Sequence, residues 1–246
     1  MASQIKKYIT NAEIYERRWK EARDNGNVAG MYSYEHAYKE NIFEMKKEME
    51  GMDPSSREYK KASQGLSEQL EKHDQMYYQQ RYNTYPNSKV EAYERLSAQN
   101  TRISKEMGNA AEKGQVERYE QLRDQYENNI GIQDDIGREL RADNIHYNDV
   151  GRQSKQDIYS HDCTMRDKLN ADIALREQKG KSVNALDRAN ANKYVNRVKS
   201  DEINLVKYNN NRAVEEMRER GASEEQIKAQ EEKNMEAQEY VRKINR

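Results

Sequence analysis

The chain of 246 residues is short of nearly everything that builds a thick globular core. It has 14 Ile, 9 Leu, 10 Val and 1 Phe. That is about 14% of the chain, below the roughly 20% at which a packed aliphatic core becomes doubtful. No apolar run approaches the ~18 residues of a membrane span, so no span is expected. The lone cysteine, Cys163, excludes an intramolecular disulfide and suits a reducing compartment. With 4 Thr, 1 Phe and no alternating run of four β-branched or aromatic residues, strands find no support. The stretch Met1 to Lys7 leads into no apolar segment. The expectation is a cytoplasmic protein, or one exported without a classical signal peptide.

What is present argues for order and for helix. A mean hydropathy of −1.36 ordinarily signals disorder. Against that, 43 basic and 44 acidic residues nearly cancel, and the chain carries 18 Tyr but only 2 Pro. Helix formers dominate, with 30 Glu, 22 Lys, 21 Arg and 20 Ala. Pro54 and Pro86 sit in turn-like stretches, 51–55 and 83–88, and a proline there breaks a helix by removing a donor and crowding the preceding turn.

Apolar residues recur at three and four, as one face of a helix requires. Ile5, Tyr8, Ile9, Ala12, Tyr15, Trp19 and Ala22 form one stripe, ended by the turn cluster at 24–27. Further stripes run Tyr34 to Met49, Tyr59 to Tyr77 behind a Ser55 or Ser56 cap, and Val90 to Met107. After Lys113-Gly114 come Val116 to Leu140, extended toward Tyr147, then a weaker stripe from Ile158 to Ile173. Beyond the break at 179–182, one stripe takes Val183, Leu186, Tyr194, Val198, Leu205 and Tyr208. The last takes Ile227, Met235, Val241 and Ile244 behind Ser223-Glu224-Glu225-Gln226, which fits a capping box. Narrow stripes and short connections predict an all-α protein, an elongated bundle of antiparallel helical hairpins with coiled-coil-like packing and about eight helices. Two domains are expected, N-terminal hairpins over 1–112 and a long-helix bundle over 113–246, or one continuous domain. Asn100 and Asn190 interrupt the stripes, either as register-setting buried polar residues or as solvent-facing ones. The pattern Ala22-x3-Gly26-x-Val28 recurs as Ala110-x3-Gly114-x-Val116 and reads as two similar helix turns.

Tyrosine is the unusual abundance. On the stripes its ring packs while its hydroxyl reaches the wet edge of a thin bundle. Two clusters stand apart: Tyr32, Tyr34 and Tyr38, then Tyr77, Tyr78, Tyr82 and Tyr85, flanked by Arg, Gln and Asn. Four tyrosines within nine residues cannot all face one core. Tyr and Arg are favoured at binding hot spots. Tyr77, Tyr78, Arg81, Tyr82 and Tyr85, with Tyr32 and Tyr34, are therefore the candidate partner-binding residues.

Motifs for chemistry fail one after another. Gly180-Lys181-Ser182 resembles the end of a phosphate-binding loop, but position 175 is Leu where that loop needs Gly. No zinc-protease helix motif, paired cysteine or nucleophile elbow occurs. Asp143-x2-His146 and Asp157-x3-His161 place carboxylate and imidazole on one helix face. The stretch 143–167, with Asp149, Asp162 and Cys163, is thus where metal or nucleophilic chemistry would sit, though Cys163 and His161 point apart on a helix. The expectation is no catalytic residue, no metal and no cofactor.

Charge is uneven: 51–150 is net −4 and 151–212 is net +5. Arg188, Lys193, Arg197, Lys199, Lys207 and Arg212 in the basic band either contact phosphates or pack beside the acidic block of the same molecule. The combined expectation is a non-enzymatic protein-interaction protein, whether scaffold, adaptor, assembly subunit or microbial effector. It would bind another protein or itself through tyrosine-rich helix faces. The alternative is a nucleic-acid-associated protein using 151–212.

Overall fold

In the computed structural model, the residues described are 2–143, 145 and 151–245. Among them are eight α-helices and no strand: α1 Ala2–Asp24, α2 Val28–Glu50, α3 Arg57–Asn83, α4 Pro86–Glu112, α5 Val116–Ala142, α6 Gly151–Gln178, α7 Ala185–Glu219 and α8 Glu224–Ile244. Sequential helices pack antiparallel, α1 on α2, α2 on α3, α6 on α7 and α7 on α8. Tyr147, His146 and Asp149 of the sequence reading lie outside the described residues.

The helix ends follow local chemistry. Ser56, not Ser55, caps α3 by accepting from the Tyr59 N–H at 3.1 Å, while Ser55 donates to Asp53. Pro86 is the first residue of α4, where its missing N–H costs nothing, so the second break is only Thr84-Tyr85. Ser223 and Gln226 form the capping box of α8. The repeated Ala-x3-Gly-x-Val pattern is one turn used twice. Gly26 and Gly114 adopt φ of 66° and 65°, and the following N–H reaches back to Ala22 and Ala110 at 2.8 and 2.9 Å. That left-handed residue ends a helix at little cost only as glycine.

The chain forms two compact units, 1–99 with 128–148 and 100–127 with 149–246. The division runs through α4 and α5 and not through the Lys113-Gly114 turn. A 27-residue helix is about 40 Å long, enough for its two halves to bury in different cores. In the first unit, Ala12, Trp19 and Ala22 pack with Met31, Tyr38, Ile42 and Met76. Tyr32 packs with Ala92, Tyr93 and Leu96 of α4 and with Ile132, Ile136 and Leu140 of α5. The second unit buries Met107, Ala110, Tyr119, Leu122 and Tyr126 from the other halves, and Met165, Tyr194 and Val198 from α6 and α7.

Polar residues occupy several core positions that apolar ones were expected to fill. On α8 the buried residues are Ile227 and Asn234, whereas Met235 and Ile244 of the expected stripe are exposed. Asn234 and Asn210 of α7 each donate to the other's backbone carbonyl at 3.1 Å, so a reciprocal amide pair, not a methionine, joins these helices. Leu186 is likewise exposed, and the buried face of α7 is Ala191, Tyr194, Val198 and Val214. Asn100 is buried and Asn190 half-buried.

Candidate functional site

The end of α3 presents a row of exposed aromatic rings. Residues four apart on a helix lie one above the other. Tyr78 and Tyr82 accordingly stack, with centroids 6.0 Å apart and planes 8° from parallel. Tyr77 meets Tyr78 edge-on at 6.1 Å, and the Arg81 guanidinium lies 6.0 Å from the Tyr82 centroid. Tyr85 follows in the break before α4. Exposure rises along the row, from 38% at Tyr77 and 58% at Tyr78 to 72% at Tyr82 and 80% at Tyr85. Tyr32, Tyr38, Tyr93, Tyr119, Tyr126 and Tyr194 are all buried, so this row is no general habit of the chain.

Arg81 ties the row to α5. It sits 3.0 Å from Asp143 and 3.7 Å from Glu139. Behind it, the fully buried Lys89 places Nζ 2.9 Å from Glu139, 3.4 Å from Asp143 and 3.1 Å from the Arg81 carbonyl. Two cations thus face two carboxylates in a cluster that is buried at Lys89 and Glu139 and open to solvent at Asp143, and the Tyr32 hydroxyl donates to Glu139 at 2.5 Å. This corrects the expectation for Tyr32: it is sealed inside the first unit, and burial followed by the Glu139 charge pushes its hydroxyl far above the ordinary phenol range. Tyr34 is half-buried against the Trp19 core and is not part of the exposed row either.

Beside the row lies an open groove of about 480 Å³ between α2, α3 and α5, lined in part by Tyr77 and Arg81. Its walls are charged but compensated. His73 Nε2 lies 2.6 Å from Glu35, and the His73 ring stacks on Tyr38 at 6.0 Å. Asp135 receives Lys39 at 2.7 Å, His36 at 2.9 Å and also Arg138. Burial pushes the Asp135 carboxyl up, but hydrogen bonds from His36 and Lys39, with the Lys39 and Arg138 charges, outweigh it and hold it at about 2. Sequence spacing shows only the Asp135–Arg138 contact, at i,i+3. The pairings across helices need the fold.

The basic band is largely occupied by internal partners. Glu120 of the acidic block takes Lys193 at 3.1 Å and Arg197 at 2.5 Å, and accepts from the Tyr194 hydroxyl. Burial raises the Glu120 carboxyl, yet the bonds from Arg197, Tyr194 and Lys193 hold it at about 2. Arg188 pairs with Glu177 at 2.7 Å and Arg212 with Glu215 at 3.1 Å. Lys193 and Arg197 thus meet the acidic block across helices, while Arg188 and Arg212 sit in solvent-exposed pairs. Lys199 and Lys207 are half-buried on α7.

In the stretch 143–167, Asp157 accepts from Ser104 and Tyr126, both at 3.1 Å, and Ser104 lies 3.2 Å from His161 Nε2. Burial pushes the His161 imidazole down and the Cys163 thiol up. The carboxylate bonds the serine and not the histidine, so the set lacks the order that activates a nucleophile. Among the described residues, no group of three His, Cys, Asp or Glu is arranged to hold a metal ion, and no helix is long and apolar enough to cross a membrane. Comparison with family models, curated proteins and solved structures finds no match to this chain.

Proposed function

We propose that the chain is a non-enzymatic interaction protein that docks a protein partner on the α3 tyrosine row and the groove beside it. The observation that carries this reading is the stacked, solvent-facing pair Tyr78 and Tyr82, continued by Tyr77 and Tyr85 and backed by Arg81. An exposed ring gains little from water, and a contiguous exposed apolar patch on a polar chain marks a contact surface. The base of the row is tethered, because Arg81 pairs with Asp143 just past the end of α5. A prearranged aromatic patch loses less side-chain freedom on binding than a mobile one. Tyr and Arg are also the side chains that most often dominate binding energy.

The test is the double variant Tyr82→Ser/Tyr85→Ser, titrated against the protein that co-purifies with the wild type or, for self-association, followed by sedimentation. Association weakens by about 2 kcal/mol or more, the threshold of a hot spot. Helicity and melting temperature hardly move, because both rings lie outside the core. If the variant loses its fold and binding falls only in step with that loss, the row is core and the reading is wrong.

The nucleic-acid reading has less support. Its cations in 151–212 must be free to displace counterions, and Arg188, Lys193, Arg197 and Arg212 already face carboxylates. Retention on DNA that falls steeply with salt is the result that favours it.

A further inference from the structure

The second unit contains a buried polar cluster whose charges do not balance. Arg123 of α5 faces three carboxylates: Glu127 at 3.2 Å, Asp201 of α7 at 3.5 Å and Asp162 of α6 at 3.8 Å. Glu127 is nearly half exposed and solvated, but Asp162 is fully buried and the Asp201 side chain is only 12% exposed. The Tyr119 hydroxyl donates to Asp162 Oδ1. That leaves Asp162 Oδ2, Asp201 Oδ2 and the Arg123 Nε between them buried without a hydrogen-bond partner, with the two carboxyls gathered at 3.8 and 3.5 Å around one guanidinium. The corresponding cluster of the first unit sets two cations, Lys89 and Arg81, against two carboxylates and needs nothing more. Here one guanidinium lies against two buried carboxyls, and a second cation acting on Asp162, Arg197, is bonded to Glu120. Such a pair cannot both ionise without a large desolvation and repulsion cost, and one hydrogen between them removes both the charge and the orphaned oxygens.

We propose that Asp162 and Asp201 share a single proton, and that this proton closes α7 onto α5 and α6 within the second unit, so that the packing of this unit is pH-sensitive.

The surrounding groups single out this pair. Burial, then the Asp162 partner, push the Asp201 carboxyl up to about 7. From α5, Tyr119 is driven upward by burial and stays a phenol, while Glu120 is held at about 2 and stays a carboxylate. From α6, burial lowers the His161 imidazole and raises the Cys163 thiol. From α7, Tyr194 is raised by burial, and Arg197, though buried, is raised by Glu120 and stays charged. A carboxyl whose folded value lies above its unfolded one contributes stability that is fully present below the unfolded value of 3.8 and is lost as pH rises through about 7.

Hydrogen exchange of the full chain between pH 6 and 8.5, corrected for intrinsic rates, reads the effect. Protection along α6 and the first half of α7 falls about tenfold over that range. In Asp201→Asn, whose amide donates to Asp162 without titrating, protection is flat with pH, whereas Glu120→Gln retains the wild-type slope. Carboxyl-carbon NMR of the wild type gives the same answer should the variant not fold: one aspartate titrates near 7. A wild type that is flat with pH, an Asp201→Asn that keeps the slope, or aspartates that all titrate below about 5 each overturn the proposal. So does calcium or magnesium restoring protection at pH 8.5, because the site then takes a metal ion and not a proton.

Discussion

Lys89 shows how much rests on single polar residues in a chain with so few large aliphatics. Its ammonium is buried among Glu139, Asp143 and the Arg81 carbonyl, and the Tyr32 hydroxyl shares Glu139. Removing one member of a buried pair leaves the other charge uncompensated. Lys89→Met is expected to lower unfolding free energy by about 3 kcal/mol, read as a shift of the urea midpoint. Adding Glu139→Leu removes the stranded charge, so the double variant is more stable than the single one. Trp19 makes the same point more quietly: its indole N–H donates to Gln80 at 2.9 Å inside the core, a satisfied polar end on the largest buried ring.

Elements are held by caps and by polar contacts between helices as much as by apolar stripes. The capping box of α8 satisfies two end groups, with the Gln226 N–H on Ser223 Oγ at 3.3 Å and the Ser223 N–H on the Gln226 side chain at 2.9 Å. Ser223→Ala costs about 1 kcal/mol, visible as a lower melting temperature or as fraying of the first turn of α8 in amide exchange. Asn234 acts between helices. Asn234→Ala removes the side-chain donor to the Asn210 carbonyl and the acceptor of the Gln230 amide, while the Asn210 amide still reaches the backbone carbonyl of residue 234, so the Asn210 carbonyl is left without that donor. Exchange protection of α8 and the last third of α7 falls by more than the Ser223 change causes, because a buried group loses its partner and not merely a helix end. A larger effect from Ser223→Ala than from Asn234→Ala contradicts this ordering.

At the scale of the whole molecule, opposing carboxylates shape stability against pH. Asp135 and Glu120 are held at about 2, below their ordinary 3.8 and 4.5. Their contribution is present above those ordinary values and is lost as pH falls toward 2. Asp201 acts in the other direction, losing its contribution as pH rises through about 7. Unfolding followed from pH 2 to 9 is therefore expected to show a maximum between about 4 and 6, with a steep acid limb and a shallower neutral one. The thin core sets the height of that curve. Circular dichroism gives a strongly helical spectrum and a melt of modest temperature, or one that rises with protein concentration. A concentration-independent melt above about 80 °C contradicts the reading of a thin core.

Helix content, helix number and nearly every break were legible in the sequence, because these are local matters: periodicity, caps, glycines in the left-handed region and prolines that cannot continue a helix. The crowding of Tyr77 to Tyr85 was legible for the same reason, since adjacent tyrosines on a helix cannot share one face. The sequence did not disclose which tyrosines lie inside. Tyr32 and Tyr78 look alike in composition and neighbours, yet one reaches Glu139, 107 residues away, and the other faces water. Nor did it disclose that Asn234 and Asp162 take core positions that periodicity gives to Met235 and other apolar residues. Asn234 and Asp162 each hold a core position through a partner distant in sequence. Such partners, Asn210 for Asn234 and Tyr119 for Asp162, are brought together by tertiary packing alone.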